Sequence, residues 1–483
     1  MASWGGPPAG YIGRMQAATS PTGGSDAIET ARRRLFTPDV PSPLAQPPDL
    51  FAFLHSARTN PLTSWTRAHF EEPILAASGV MGRVTVLSDP AAIRHVLVEN
   101  AANYRKDDLQ RRVLAPGLAN GLLTAEGDEW RAQRRALAPL FTPRIVAGLA
   151  PAMGEAADRL VRRLERREGR IVDASGEMTR VTLDVLERTI FTHGIRRDPD
   201  ALGRAITRYF EAIGPVDPLD VFGMPNWIPR VGRLKSRPAL RYFEEVVREL
   251  IDARRDLIAR GAEPPADLLT ALLKASDPET GLGLGDLDVR ANIVTFIGAG
   301  HETTANALAW SLFLLSQAPD VRERVEQEVD RAPAALDALT DLPLTRAVIE
   351  EAMRLFPPVP FMSRAAVGED RLGTIRIPAG SLIMIAPYVL HRHRRLWDEP
   401  DSFDPDRFMP GRREAIDRHA YLPFGAGPRV CIGAAFALQE AVLVLARIVR
   451  SVRLDLVAGH AVRPVQRVTL RPGGGLPMQV TRR

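Results

Sequence analysis

The chain carries one cysteine in 483 residues, and it lies in a stretch that leaves the backbone few choices: Phe424-Gly425-Ala426-Gly427-Pro428-Arg429-Val430-Cys431-Ile432-Gly433. Gly425, Gly427 and Gly433 have no Cβ and let backbone approach a bound group closely, while Pro428 stiffens the turn between them. The apolar run at 434–446 reads as a helix. Cys431 is therefore expected where that helix begins, with free N–H groups and the helix dipole favouring thiolate over thiol. A lone cysteine also excludes intramolecular disulfides and cysteine-rich zinc or iron–sulfur sites, in keeping with a reducing cytosol.

A thiolate is a metal ligand or a nucleophile. A nucleophile calls for a neighbouring histidine, whereas this loop supplies Arg429, a fixed cation suited to a carboxylate or phosphate. A thiolate beside a carboxylate clamp points to haem, whose iron takes an axial cysteine. A buried structural cysteine is the plain alternative, and residue type alone favours it.

No Gly/Ser linker or internal repeat divides the chain, which reads as mainly α with a small β region. Residues 1–34, rich in Gly, Ala, Ser and Pro, are expected to form a flexible tail ahead of one large domain over 35–483. Arg32-Arg33-Arg34 is followed by Thr37-Pro38-Asp39 instead of the apolar stretch an export signal needs, and no membrane anchor is visible at the N-terminus. A soluble, cytoplasmic protein is expected. Basic residues number 63 against 58 acidic, with Lys106, Lys235 and Lys274 the only lysines. Dispersed arginines without an aromatic-basic repeat argue against nucleic-acid binding, while the modest positive field suits an acidic protein partner.

The periodicity predicts helices over 50–57, 130–138, 146–167, 177–191, 199–213, 237–260 and 291–318, and a hairpin over 73–87 with Gly79 and Gly82 at its turn. Ser88-Asp89-Pro90 caps a helix to about residue 99. Residues 103–127 lack a period and read as a functional or disordered loop. The apolar loop 214–229, with Val221, Phe222, Met224, Trp227 and Ile228, is a lid, a membrane-touching surface or a loop tucked into the core.

Three polar patterns break the helices. Trp130 and Arg134 are spaced i, i+4, as a packing tryptophan beside a surface arginine would be. Ala299-Gly300-His301-Glu302-Thr303-Thr304 interrupts the most apolar helix, where a buried charge is costly. Ala299, Glu302 and Thr303 share a face, and Thr303 is placed to return its hydroxyl to the carbonyl of Ala299, loosening the ladder beside Gly300; a polar side reaching solvent is the alternative. Glu351 and Arg354, at i, i+3, read alone as a surface ion pair.

The segment Phe424-x-x-Gly427-x-Arg429-x-Cys431-x-Gly433 resembles the haem-binding loop of the cytochrome P-450 family, the haem-thiolate monooxygenases. Residues 299–304 resemble the family's oxygen-activation motif, Glu351-x-x-Arg354 its Glu-x-x-Arg motif, and Trp130-x-x-x-Arg134 a haem-propionate pattern; the likeness runs from about Leu35 to the C-terminus. It implies the P-450 fold in a single haem domain, heme b ligated by Cys431, and propionate contacts from Trp130, Arg134, Arg364 and Arg429, less securely His391 and Arg392. Phe424 and Gly433 complete the cofactor loop. Glu302 and Thr303 are implied to deliver protons to bound dioxygen. Glu351, Arg354 and Arg407 hold the core on the haem side.

Phe296, Ala299, Val359, Pro360, Phe361, Met362 and Leu476, the last in the turn of a hairpin over 468–480, occupy positions that line the pocket in relatives. Their apolar character implies a lipophilic substrate such as a fatty acid or terpenoid, with Lys106 a candidate charged anchor. The length leaves no room after this domain for a fused reductase, so a separate ferredoxin or flavodoxin with its NAD(P)H-dependent reductase is implied, docking near Arg131 and Arg135 on a monomer. A peroxygenase or rearrangement enzyme ranks second, because the acid-alcohol pair is intact. A non-catalytic haem sensor ranks third.

Overall fold

The longest helix among the described residues, Asp286–Gln317, is buried along most of its length by residues such as Ile293, Ile297, Leu308 and Leu314, and many of the other elements pack around it. The structure is a computed structural model that describes residues 35–483 except 80–81, 109, 111, 113–119, 193–198, 214–216, 222–223, 225–226 and 334–340. The expected tail and Phe222 lie outside the described residues.

Among the described residues, the helices of ten residues or more are α1 (Leu50–Thr59), α2 (Gly127–Leu137), α3 (Ala150–Glu165), α4 (Ala174–Leu186), α5 (Pro199–Ile213), α6 (Val231–Ala259), α7 (Asp286–Gln317), α8 (Pro319–Arg331), α9 (Pro343–Leu355) and α10 (Ala434–Ser451). Asp286 and Asp288 in the first turn of α7 complement its dipole, and the Asp288 carboxylate accepts the Gly285 N–H at 3.3 Å. α7 packs against α4, α9 and α10. Trp310 of α7 stacks on Phe356 with ring centroids 3.8 Å apart, and its indole N–H reaches the Leu470 carbonyl at 3.2 Å. A buried tryptophan thus keeps its polar atom satisfied.

The strands are β1 (Ile74–Gly79), β2 (Gly82–Leu87), β3 (Tyr104–Arg105), β4 (Ile171–Asp173), β5 (Met362–Ala366), β6 (Asp370–Leu372), β7 (Ile375–Ile377), β8 (Leu382–Ile385), β9 (Val452–Leu456), β10 (Arg463–Gln466), β11 (Leu470–Gly473) and β12 (Pro477–Arg482). They make a five-stranded sheet in the order β1-β2-β8-β5-β3, a three-stranded sheet β4-β12-β9, and the pairs β10-β11 and β6-β7. The expected hairpin is present, with Ile74 opposite Leu87, and β2 runs parallel to β8. Leu87, Ile93, Leu97, Ile383, Ile385 and Leu422 form a second core beside the larger one around α7.

Three expectations are corrected. The segment 468–480 is not one hairpin: β11 pairs with β10, and β12 pairs with β4 and β9. Tertiary anchoring decides this, since the Leu476 amide donates to Asp173 at 2.9 Å and its carbonyl accepts from Ala174. α6 starts at Val231 and runs through Pro238, although that proline reads as a helix start. The buried Arg230 guanidinium holds the Met224 and Ile228 carbonyls and Asp220, which directs the chain into the helix earlier. Finally, α10 starts at Ala434 with Gly433 before it, so Cys431 stands outside the helix.

Candidate active site

Gly425 and Gly427 have φ of 73° and 72°, the left-handed region that favours glycine. A Cβ on Gly427 would lie 1.8 Å from the Leu97 carbonyl oxygen, so this glycine serves a backbone-to-backbone approach; at Gly433 an added Cβ would meet nothing within 4 Å. The Cys431 N–H donates to the Phe424 carbonyl at 2.9 Å. The cysteine is accessible although dense protein surrounds it, and both hold only if it opens onto an internal cleft. Burial pushes its thiol up, and the Gly433 N–H and Arg134 pull it down by less. Without the cofactor, desolvation thus opposes the thiolate preference read from the loop.

Cations gather close to this loop. Arg429 pairs with Glu126 at 2.8 Å, donates to the Ala125 carbonyl at 3.1 Å and lies 4.3 Å over the Trp130 ring. Lys106 is buried and its Nζ donates to the Leu123 carbonyl. Burial, then Arg429 and Arg364, depress its pKa to about 7. Arg364 is buried with Nη1 on the Ser363 carbonyl at 2.8 Å, and burial and Arg429 depress it to about 10. Glu126 and Asp107 are the carboxylates that offset this charge, and the cations still depress one another. Arg134 is lowered by burial and raised by its neighbour Cys431.

Within the buried α7, Ala299 is exposed and Thr303 partly so. The Thr303 hydroxyl donates to the Ala299 carbonyl at 2.7 Å, as the spacing predicts. The helix is unbroken, so the expected loosening of its ladder is confined to competition for that carbonyl. Glu302 departs from the shared face. It is 8% exposed and turns to Thr469, whose hydroxyl donates to Oε1 at 2.7 Å. Burial pushes the Glu302 carboxyl up, and the Thr469 bond opposes this. Next in sequence, Thr304 bonds Glu440 of α10, a fully buried carboxyl that burial holds well above the usual range.

Glu351 and Arg354 are not a surface pair. Both are fully buried and joined by two bonds of 2.6 and 2.7 Å, and Arg354 also donates to the carbonyls of His391, Pro400 and Ser402. Arg407 Nε stands 3.5 Å from Glu351, the third member as expected. His391 and Arg392 go elsewhere. The His391 Nε2 accepts the Leu422 N–H, and Arg392 lies over Tyr388 and Phe356 and 3.7 Å from Asp401.

Of the expected pocket residues, Val359 and Phe361 are 41% and 37% exposed, Met362 is half-buried, and Pro360 is buried. Phe296 is buried edge-on to Phe141 at 5.3 Å, and Leu476 has no accessible surface to offer a ligand. Trp227, at 80% exposed, is not tucked into the core. Arg131 is exposed beside Asp128, whereas Arg135 is held by Asp277 at 2.6 Å and Glu279 at 3.2 Å.

The family model for cytochrome P-450 matches residues 44–476. The chain belongs to the cytochrome P-450 family. This P-450 is 34% identical over 395 residues to cyclooctatin synthase of Streptomyces melanosporofaciens, covering 80% of this chain and 83% of the relative. It is 36% identical to cyclooctat-9-en-7-ol 5-monooxygenase of the same organism, over 71% of this chain and 74% of the relative. It is 32% identical to pentalenene oxygenase of Streptomyces avermitilis, over 75% and 80%. A crystal structure of a cytochrome P450DA heme domain superposes with a TM-score of 0.80 at 28% identity, covering 92% of this chain and 98% of that one. The protein is a P-450 monooxygenase. No helix among the described residues is long and apolar enough to cross a membrane.

The residues present fit the haem iron cofactor of the family. The cations at Lys106, Arg364 and Arg429 are short of anions, which haem propionates supply; Cys431 opens onto a cleft; and Gly433 leaves free space beside it. Sequence reasoning named Lys106 only as a candidate substrate anchor and overlooked its place beside Arg429 and Arg364, together with Glu126, Thr469 and Glu440. Its being one of three lysines in an arginine-rich chain was the available signal for the first; the others have none.

Proposed function

We propose that this P-450 hydroxylates a lipophilic small molecule of terpenoid or fatty-acid type, using a b-type haem and electrons from a separate ferredoxin or flavodoxin. The observation that carries the substrate class is that the accessible side chains at the expected pocket positions, Ala299, Val359 and Phe361, are all apolar, while the cations are drawn together around Arg429. The names of the terpenoid-oxidising relatives support the same class.

Cys431 would ligate the haem iron, and Trp130, Arg364, Arg429 and Lys106 would hold the cofactor's carboxylates, with Arg134 beside the sulfur. When bound, haem supplies dioxygen activation and insertion of one oxygen atom into a C–H bond. The protein's own part is to place and hold. Thr303 orients a hydroxyl at the cleft, Glu302 holds its proton more readily than an exposed carboxyl because burial disfavours its charged form, and Val359 and Phe361 exclude water from the substrate's reacting face. The buried Glu351–Arg354–Arg407 group fixes the frame. Arg131 is the docking cation for the electron donor; Arg135 is spoken for by Asp277 and Glu279.

Thr303→Ala tests the chemistry: electron consumption should persist while peroxide replaces product. A variant that keeps full coupling overturns the monooxygenase role of Thr303 and favours a peroxide-driven enzyme. Haem spin-state shifts across a terpenoid and fatty-acid panel test the substrate class, and a response confined to polar compounds overturns it.

A further inference from the structure

The two carboxylate oxygens of Glu302 are not equivalent. Oε1 accepts the Thr469 hydroxyl at 2.7 Å, and the Thr469 oxygen accepts the Asn306 side-chain amide at 3.1 Å. A hydroxyl has one proton to give and an amide nitrogen only donates, so these bonds run one way, from Asn306 to Thr469 to Glu302. Oε2, also buried, has no hydrogen-bond partner among the described residues. A proton on Oε1 would compete with the Thr469 hydroxyl for that oxygen, whereas a proton on Oε2 leaves the Thr469 bond in place.

Thr469 stands in the bend between β10 and β11, and two residues on, within β11, stands Arg471. Arg471 pairs with Glu211 of α5 at 3.1 Å, and the two side chains are 23% and 49% exposed. Their charges act on Glu302 in opposite senses, Arg471 favouring the anion and Glu211 the acid. Arg467, on the same bend, feels both partners of the pair.

We propose that Thr469 is a positioning residue that directs the Glu302 proton to Oε2, and that the Arg471–Glu211 pair sets from the surface how readily that proton is released. The inference rests on the reading of Glu302 as a proton donor and goes beyond it by naming the atom and the residues that control it. No electron moves in this step: the proton passes from Oε2 to a water molecule, the carboxylate left behind stays held by Thr469, and a second water returns a proton to Oε2.

The experiment follows the infrared carbonyl band of protonated Glu302 against pH in the holoenzyme, identified by its loss in Glu302→Gln. Peroxide release per electron consumed is recorded alongside. Thr469→Val should raise the midpoint by about one pH unit, tenfold in proton affinity, and increase peroxide release severalfold, and Thr469→Ser should restore both. Glu211→Gln should lower the midpoint and Arg471→Gln should raise it, a sign pattern that a general loosening of the hairpin does not produce. If Glu302→Gln uncouples but Thr469→Val keeps the wild-type midpoint and coupling, the positioning role is overturned alone. If Glu302→Gln stays fully coupled, the proton-donor reading falls and this inference with it. Shifts of the same sign in Glu211→Gln and Arg471→Gln overturn the part assigned to the ion pair.

Discussion

The Arg429 guanidinium lies 4.3 Å over the Trp130 ring, joining the cysteine loop to α2 through a stacked cation. The same guanidinium is held by Glu126 and the Ala125 carbonyl, and Trp130 adds a third anchor to that charge. A desolvated stack of this kind is worth about 2 kcal/mol. Trp130→Ala should therefore release haem to apomyoglobin at least several times faster, with Trp130→Phe intermediate. Equal transfer rates in all three proteins would mean that the tryptophan only fills space.

Lys106 has its pKa depressed from 10.5 to about 7 by burial and by Arg429 and Arg364. Between those two values the haem-free folded protein binds fewer protons than the unfolded chain, so stability rises with pH across this window. The slope due to this one group is at most about 1.4 kcal/mol per pH unit. Urea unfolding of haem-free protein should show that rise between pH 7 and 10, and Lys106→Met should remove its share while weakening haem retention. An unaltered slope in the variant would place the titration elsewhere.

Acid should act through two histidines. His301 and His391 are fully buried, and desolvation lowers them from 6.5 to about 4 and about 3, with Arg354 and Arg392 further opposing charge on His391. The folded state keeps both neutral while the unfolded chain protonates them. The stability that these two histidines contribute is fully present above pH 6.5 and falls as the pH drops towards 4, by up to about 1.4 kcal/mol per unit for each. His301→Gln should flatten the denaturant-midpoint profile in this window, and a parallel profile would count against the assignment.

Two glycines of the cysteine loop should respond differently to the same methyl group. Gly427→Ala forces a Cβ onto the Leu97 carbonyl at positive φ, so strain of about 1–3 kcal/mol and a displaced loop are expected, lowering thermal stability even without haem. Gly433→Ala meets no protein atom and should fold normally, losing haem affinity alone. Melting curves and haem titrations of both variants separate the two cases; matched losses in both would contradict it.

Breaking the buried Glu351–Arg354 pair strands a charge with no water to receive it. Arg354→Leu should cost about 3–5 kcal/mol and prevent haem incorporation. A variant within about 1 kcal/mol of the parent in urea unfolding would show that the pair is not required for folding.

Local chemistry made much of this molecule legible. The alternation flanking Gly79 and Gly82 specifies β1 and β2, Asp89 before Pro90 caps its helix by accepting the Ala92 N–H, and the Thr303 to Ala299 bond follows from helical spacing alone. The cysteine loop was legible because its glycines and proline restrict the backbone whatever surrounds them. Pro238 misled because a residue that often opens a helix is here carried inside one whose start is set by Arg230.

What the sequence determined by itself is therefore the set of elements and the chemical inventory, because those depend on neighbours three or four residues apart. Only the tertiary structure decided how the inventory is used. Glu302 turns to Thr469, 167 positions away, and Arg429 reaches Ala125 across 304. Arg135 is consumed by Asp277, Lys106 is pressed among arginines, and desolvation by the surrounding protein opposes the donors at Cys431. Burial and long-range pairing set charge states, and neither is written in local spacing.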